Sequence, residues 1–130
     1  MKRIAVLVLI VLLTFSMLAA CVKTSGEKVY GKEDTNIEAK TGESFVIQLE
    51  ENPTTGYEWT VTISDENIVK KTDDQYTTES RDEDIVGAGG VHTYTFEALK
   101  EGSTQITFVY ERSFEENSAV ETVVFNITVK

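Results

Sequence analysis

A chain whose only cysteine is Cys21 cannot form an intrachain disulfide, so burial of apolar surface has to hold its fold together. Histidine is equally scarce. The only one, His92, has no serine or cysteine nucleophile plausibly beside it, which removes the triads and dyads of covalent hydrolysis. The shortage of both residue types also removes zinc-type sites. Basic residues number 12 against 22 acidic ones, a formal net charge of −10 at pH 7. Phosphate backbones and anionic lipid surfaces repel such a chain, and nucleic acid is not an expected partner. Internal repeats and low-complexity tracts are missing. Carboxylates are plentiful, but nothing marks two of them as the pair of a glycoside hydrolase. Asp73-Asp74 and Asp82-Glu83-Asp84 lack the spacing of a calcium loop and read as solvated surface. Gly87-Ala88-Gly89-Gly90 has neither the lysine nor the following helix of a phosphate-cradling loop. Neither enzymatic activity nor a metal or cofactor is expected.

What is present begins with an address. Residues 1–20 place Lys2 and Arg3 before an apolar stretch from Ile4 to Leu13, the layout of a signal peptide and short for a bilayer span. The junction Leu18-Ala19-Ala20-Cys21 resembles the lipobox of bacterial lipoproteins, which implies an acylated Cys21 as the mature N-terminus. The protein would then be exported and lipid-anchored to the membrane on its extracytoplasmic side. Loss of Lys2 and Arg3 leaves 10 basic against 22 acidic residues, a formal charge of −12. Residues 21–35 are polar and poor in large apolar side chains, and read as a flexible tether. Residues 36–130 are about the size of one small sandwich domain.

Within that domain apolar and polar residues alternate. Phe45, Ile47 and Leu49 form one such run, and Trp59, Val61 and Ile63 a second. Tyr94 with Phe96, then Ile106, Phe108 and Tyr110, then Val123, Phe125, Ile127 and Val129 continue the pattern. Period two in β-branched and aromatic residues predicts strands with one buried face. The expected strands cover about 35–40, 44–50, 57–63, one stretch within 67–80, 91–98, 104–110 and 120–129, in an antiparallel β-sandwich of about seven or eight. The polar 67–80 region is the least regular. If it contributes one strand, alternate connections emerge at the same end. Plain turns at Thr41-Gly42, Ser64 to Asn67 and Lys100 to Gly102 then share one end. The richer links 51–57, 81–90 and 111–119 share the other.

The only proline, Pro53, lies in the first rich link. It fixes its own φ and restricts Asn52, so the loop is stiff before it meets a partner, which lowers the entropic cost of association. Gly56 can close the turn at positive φ, while Thr54 and Thr55 keep the loop's outer surface small. In the second link Gly87, Gly89 and Gly90 around Ala88 expose bare peptide groups to an extended partner. The third offers Arg112 and Phe114, residue types that anchor interfaces.

In this order the three stretches resemble the chagasin-type inhibitors of papain-family cysteine proteases. That family carries Asn-Pro-Thr-Thr-Gly-aromatic, Gly-x-Gly-Gly and Arg-Pro-aromatic loops on an immunoglobulin-like sandwich. The chain reads Asn52-Pro53-Thr54-Thr55-Gly56-Tyr57, Gly87-Ala88-Gly89-Gly90 and Arg112-Ser113-Phe114, with serine and phenylalanine where the family commonly has proline and often tryptophan. The resemblance implies a monomeric, reversible, non-covalent inhibitor whose partner is a papain-family cysteine protease. Thr54 and Thr55 would lie across the catalytic cysteine, Val86 and the glycine loop along the substrate cleft, and Arg112 with Phe114 on the primed side. Ser113 and Phe114 imply a looser and smaller third contact. The competing expectation is a surface-anchored adhesion or envelope-assembly module without inhibitory activity.

Overall fold

The structure, a computed structural model, describes residues 26–78 and 89–130. The expected signal peptide, Cys21 and the loop residues Val86, Gly87 and Ala88 lie outside them. The described residues form eight strands: β1 Lys28–Tyr30, β2 Asn36–Ala39, β3 Ser44–Glu51, β4 Glu58–Ile63, β5 Val69–Thr78, β6 Gly90–Ala98, β7 Gly102–Glu111 and β8 Glu121–Val129. They build two four-stranded sheets, ordered β1-β3-β6-β5 and β2-β8-β7-β4.

The period-two pattern decides which side chains meet between the sheets. Phe45, Ile47 and Leu49 of β3, with Tyr94, Phe96 and Ala98 of β6, are buried against Ile106 and Phe108 of β7 and Val123, Phe125, Ile127 and Val129 of β8. Phe108 sits at the centre, with no exposed surface and with the rings of Tyr94, Phe125, Phe96 and Trp59 between 5.0 and 6.3 Å away. Aromatic packing of this density does the work that disulfides do in many exported sandwiches.

Two expectations are corrected. The sheets are mixed, not purely antiparallel, because β1 pairs parallel with β3 and β2 parallel with β8. Both are short edge strands of few pairs, the positions where parallel addition is least demanding. The segment read as tether supplies β1, and a turn joining Gly31 to Asp34 then carries the chain to the other sheet. Polarity misled there: Val29 of β1 is exposed because an edge strand needs only backbone pairing.

The 67–80 region yields a single strand, β5, with a register shift between Lys71 and Asp73. The odd count places the three rich links together. Glu51 pairs with Gly90, Glu58 with Glu111, and Tyr110 with Glu121, so all three connections leave the sandwich at one pole.

Candidate functional site

The β3–β4 connection folds as one turn of 3-10 helix, Pro53–Thr55, with Pro53 in its first turn where no backbone donor is missed. Asn52 caps it. Its Oδ1 accepts the Thr54 backbone N–H at 3.3 Å and the Thr54 hydroxyl at 2.5 Å. The Thr55 hydroxyl donates to the Asn52 carbonyl at 2.6 Å. Gly56, at φ +81°, ends the turn by donating its N–H to the Pro53 carbonyl at 3.0 Å. Both threonine hydroxyls are therefore engaged inside the loop, and Pro53, Thr54 and Thr55 are exposed at its tip.

The third loop grips the first. Arg112 Nε donates to the Thr55 carbonyl at 3.2 Å, its Nη1 lies 3.4 Å from the Glu115 carboxylate, and its guanidinium stands 4.5 Å above the Tyr57 ring. Tyr57 in turn packs 5.5 Å from Tyr110. Phe114 is 73% exposed, and a Cβ built on Gly56 would sit 3.1 Å from its Cζ. Gly56 thus serves two needs, a left-handed φ and room for Phe114. The loop that lacks the family proline is braced another way. The Ser118 hydroxyl accepts the Arg112 N–H at 2.9 Å and lies 2.8 Å from the Arg112 carbonyl.

The second loop meets the first through Gly89, where a Cβ would stand 3.4 Å from the Glu51 carbonyl and 3.8 Å from Asn52 Cβ. Gly90 departs from expectation. It is buried at the head of β6, and a Cβ there would fall 2.3 Å from the Thr77 carbonyl and 2.7 Å from the Tyr76 hydroxyl. Its bare backbone admits the neighbouring strand β5. Gly89 on one side and Phe114 on the other nevertheless both border the turn that carries Pro53.

A sequence model of the chagasin family of peptidase inhibitors, I42, matches residues 38–129, a span that contains all three loops. The chain belongs to this family. Chagasin-family members are inhibitors and not enzymes. Amoebiasin-1 of Entamoeba histolytica is 30% identical over 99 residues, covering 75% of this chain and 92% of that protein. The cysteine protease inhibitor EhICP2 of Entamoeba histolytica shares the fold with a TM-score of 0.70 at 20% identity, over 79% of this chain and 95% of its own. PbICP-C, solved in complex with falcipain-2, matches with a TM-score of 0.58 at 18% identity, over 80% and 91% of the two chains.

Beneath the chagasin-type loops lies a layer that motif reading passed over. Glu51, 6% exposed, accepts the Trp59 N–H through Oε1 at 3.1 Å, while its Oε2 stands 2.6 Å from His92 Nδ1. His92 Nε2 lies 3.1 Å from Asp74 Oδ1, so Asp74 is not merely solvated surface. Its carboxyl is held below its ordinary value near 3.8 by the hydrogen bond from Lys71 and then by the one from His92. Burial pushes the Tyr94 phenol far above its usual range, and the charges of Glu51 and Asp74 add to that. The Tyr110 hydroxyl accepts the Asn52 N–H at 3.0 Å, and Trp59 Nε1 donates to the Glu50 carbonyl at 2.8 Å. One signal was available: counted in twos from Phe45, Glu51 falls on the inward face of β3, where the pattern calls for an apolar residue.

Proposed function

We propose that the protein is a reversible, non-covalent inhibitor of papain-family cysteine proteases that fills the active-site cleft with three loops. The observation that carries this reading is the contact among them: Arg112 on the Thr55 carbonyl, Phe114 against Gly56, and Gly89 against Glu51 and Asn52. The turn Pro53–Thr55 is the leading edge, and its small exposed residues let it descend onto a catalytic cysteine. A turn closed by its own cap does not present an extended scissile bond, so it resists cleavage while excluding substrate and water. By the family resemblance, Val86, Gly87 and Ala88 with Gly89 are assigned to the substrate cleft and Arg112 with Phe114 to the primed side. Gly90 supports the wedge without touching the enzyme. Membership of a peptidase-inhibitor family supports the reading, as does the complex that PbICP-C forms with falcipain-2.

The same proposal includes a lipid on Cys21 at the extracytoplasmic face of the membrane, supported by Leu18-Ala19-Ala20-Cys21. β1 begins at Lys28 beside Phe45, at the pole opposite the loops, so an anchor a few residues earlier leaves the wedge pointing away from the lipid. Cys21→Ser should release the protein from the membrane fraction, and retention of that variant would refute the anchor.

The test of inhibition is a loop-variant assay against papain. Thr55→Trp puts a bulky ring at the leading edge and Gly89→Glu a carboxylate beside it. Each should abolish inhibition while leaving the thermal midpoint unchanged. Inhibition that survives both changes would overturn the proposal, and a wild-type protein with no inhibition to lose would favour an adhesion module.

A further inference from the structure

The wedge loop is closed at its base by a buried carboxylate, and that carboxylate meets the chain's single histidine. Glu51 occupies the last inward position of β3. Its Oε1 reaches across the whole loop to the Trp59 N–H, and its backbone carbonyl is the atom that Gly89 lies against. Diagonally across the sheet its Oε2 meets His92 Nδ1 at 2.6 Å. The residue thus touches two of the three loops. A carboxylate this deeply buried stays ionised only beside a positive partner. Among the described residues His92 is the side chain that supplies such a partner when its ring is protonated.

The carboxylates against His92 favour a charged ring. From β3 it faces Glu51. From β5 it faces Asp74, backed by Lys71 at 2.7 Å, and the Tyr76 ring at 6.4 Å. On its own strand Tyr94 stacks on it at 4.1 Å, and Glu58 at the head of β4 adds a negative charge felt at that phenol. Two acceptor-only carboxylates flank the two ring nitrogens, and only the imidazolium donates to both at once.

We propose that Glu51 is a positioning residue for the wedge loop and that the charge on His92 sets how firmly it holds. The proposal rests on the inhibitor reading for its consequence, though not for its structural half. With the ring protonated, Glu51 is neutralised and free to hold the Trp59 N–H, which keeps Asn52 to Glu58 closed in the binding shape. When the ring loses its proton to solvent, the buried carboxylate loses its counter-charge and the loop base loosens. Inhibition is therefore tighter where the ring is protonated and weaker where it is not. The substitution Glu51→Gln removes the need for a counter-ion: the amide oxygen accepts the Trp59 N–H and the amide nitrogen donates to a neutral His92.

The experiment uses the purified full-length chain. Because His92 is the only histidine, its ring C2–H resonance reports its protonation without ambiguity, and the Thr55 and Gly56 amide resonances report the loop. The amides should move with the same midpoint as the ring. Affinity for papain should weaken by about tenfold across that midpoint, the size expected for loss of one charged hydrogen bond. Comparing wild type with Glu51→Gln on the same enzyme cancels the protease's own pH dependence, and the variant's profile relative to wild type should lack that tenfold step. Loop amides that stay still while His92 titrates would overturn the proposal. A Glu51→Gln profile as steep as the wild-type one would do so too. If no papain inhibition occurs at any pH, the functional reading fails, and the amide titration of the wild-type chain still decides the positioning role.

Discussion

Single residues divide the wedge into parts that touch and parts that support. Phe114 is a large apolar side chain left mostly in solvent, a placement that costs the free protein something and returns it only on binding. Phe114→Ala should leave stability within about 0.5 kcal/mol of wild type and weaken papain binding by about tenfold or more. Gly90 is the reverse case. A methyl there meets the Thr77 carbonyl at 2.3 Å, so Gly90→Ala should cost about 1–3 kcal/mol in a denaturant titration, with binding weakened only as far as the fold is. An inhibition assay and a thermal scan on the two variants separate the roles. Asp74 carries an acid-side signature. Its carboxyl titrates below its ordinary value in the fold, so the stability it adds is complete above about pH 4 and disappears as pH falls through the folded value. Asp74→Asn should therefore lower the denaturation midpoint at neutral pH and match wild type in strong acid.

At the scale of elements, the loops differ in what holds them. The β3–β4 turn is stiff through covalent geometry, Pro53, and through its Asn52 cap. The β7–β8 loop lacks a proline and is braced by the Ser118 hydroxyl, which engages both backbone groups of Arg112, and by the Glu115 N–H on the Arg112 carbonyl at 3.0 Å. Ser118→Ala should cost about 1 kcal/mol of stability and lower papain affinity several-fold through a faster dissociation rate, measurable by surface binding kinetics. These differences bear on what a sequence discloses. Strand β8 was legible because Val123, Phe125, Ile127 and Val129 alternate without interruption, and the resemblance of the loops to known motifs survived at the level of position. β1 was not legible, since a three-residue edge strand is held by backbone bonds that leave no apolar period. Nor was the Glu51–His92–Asp74 diagonal, because it joins three strands and exists only once their register is set. The packing around Gly90 was hidden for a related reason: a sequence shows that a side chain is missing, not which atom occupies its place.

For the whole molecule, the sandwich acts as a rigid handle. Two sheets packed on Phe108 and its ring neighbours fix the pole from which all three loops project, and the chain enters at the other pole through β1. That polarity is what turns three ordinary connections into one plug. The acidic surface, net −10 over the chain, biases encounter toward basic enzymes, an effect that salt screens beyond about a nanometre. The most direct test of the central claim is a titration of papain with the purified protein at several substrate concentrations. The account predicts reversible inhibition that saturates at one inhibitor per enzyme, with an apparent inhibition constant that rises linearly with substrate. Papain activity that stays undiminished at high micromolar protein, or inhibition that no concentration of substrate relieves, would contradict it.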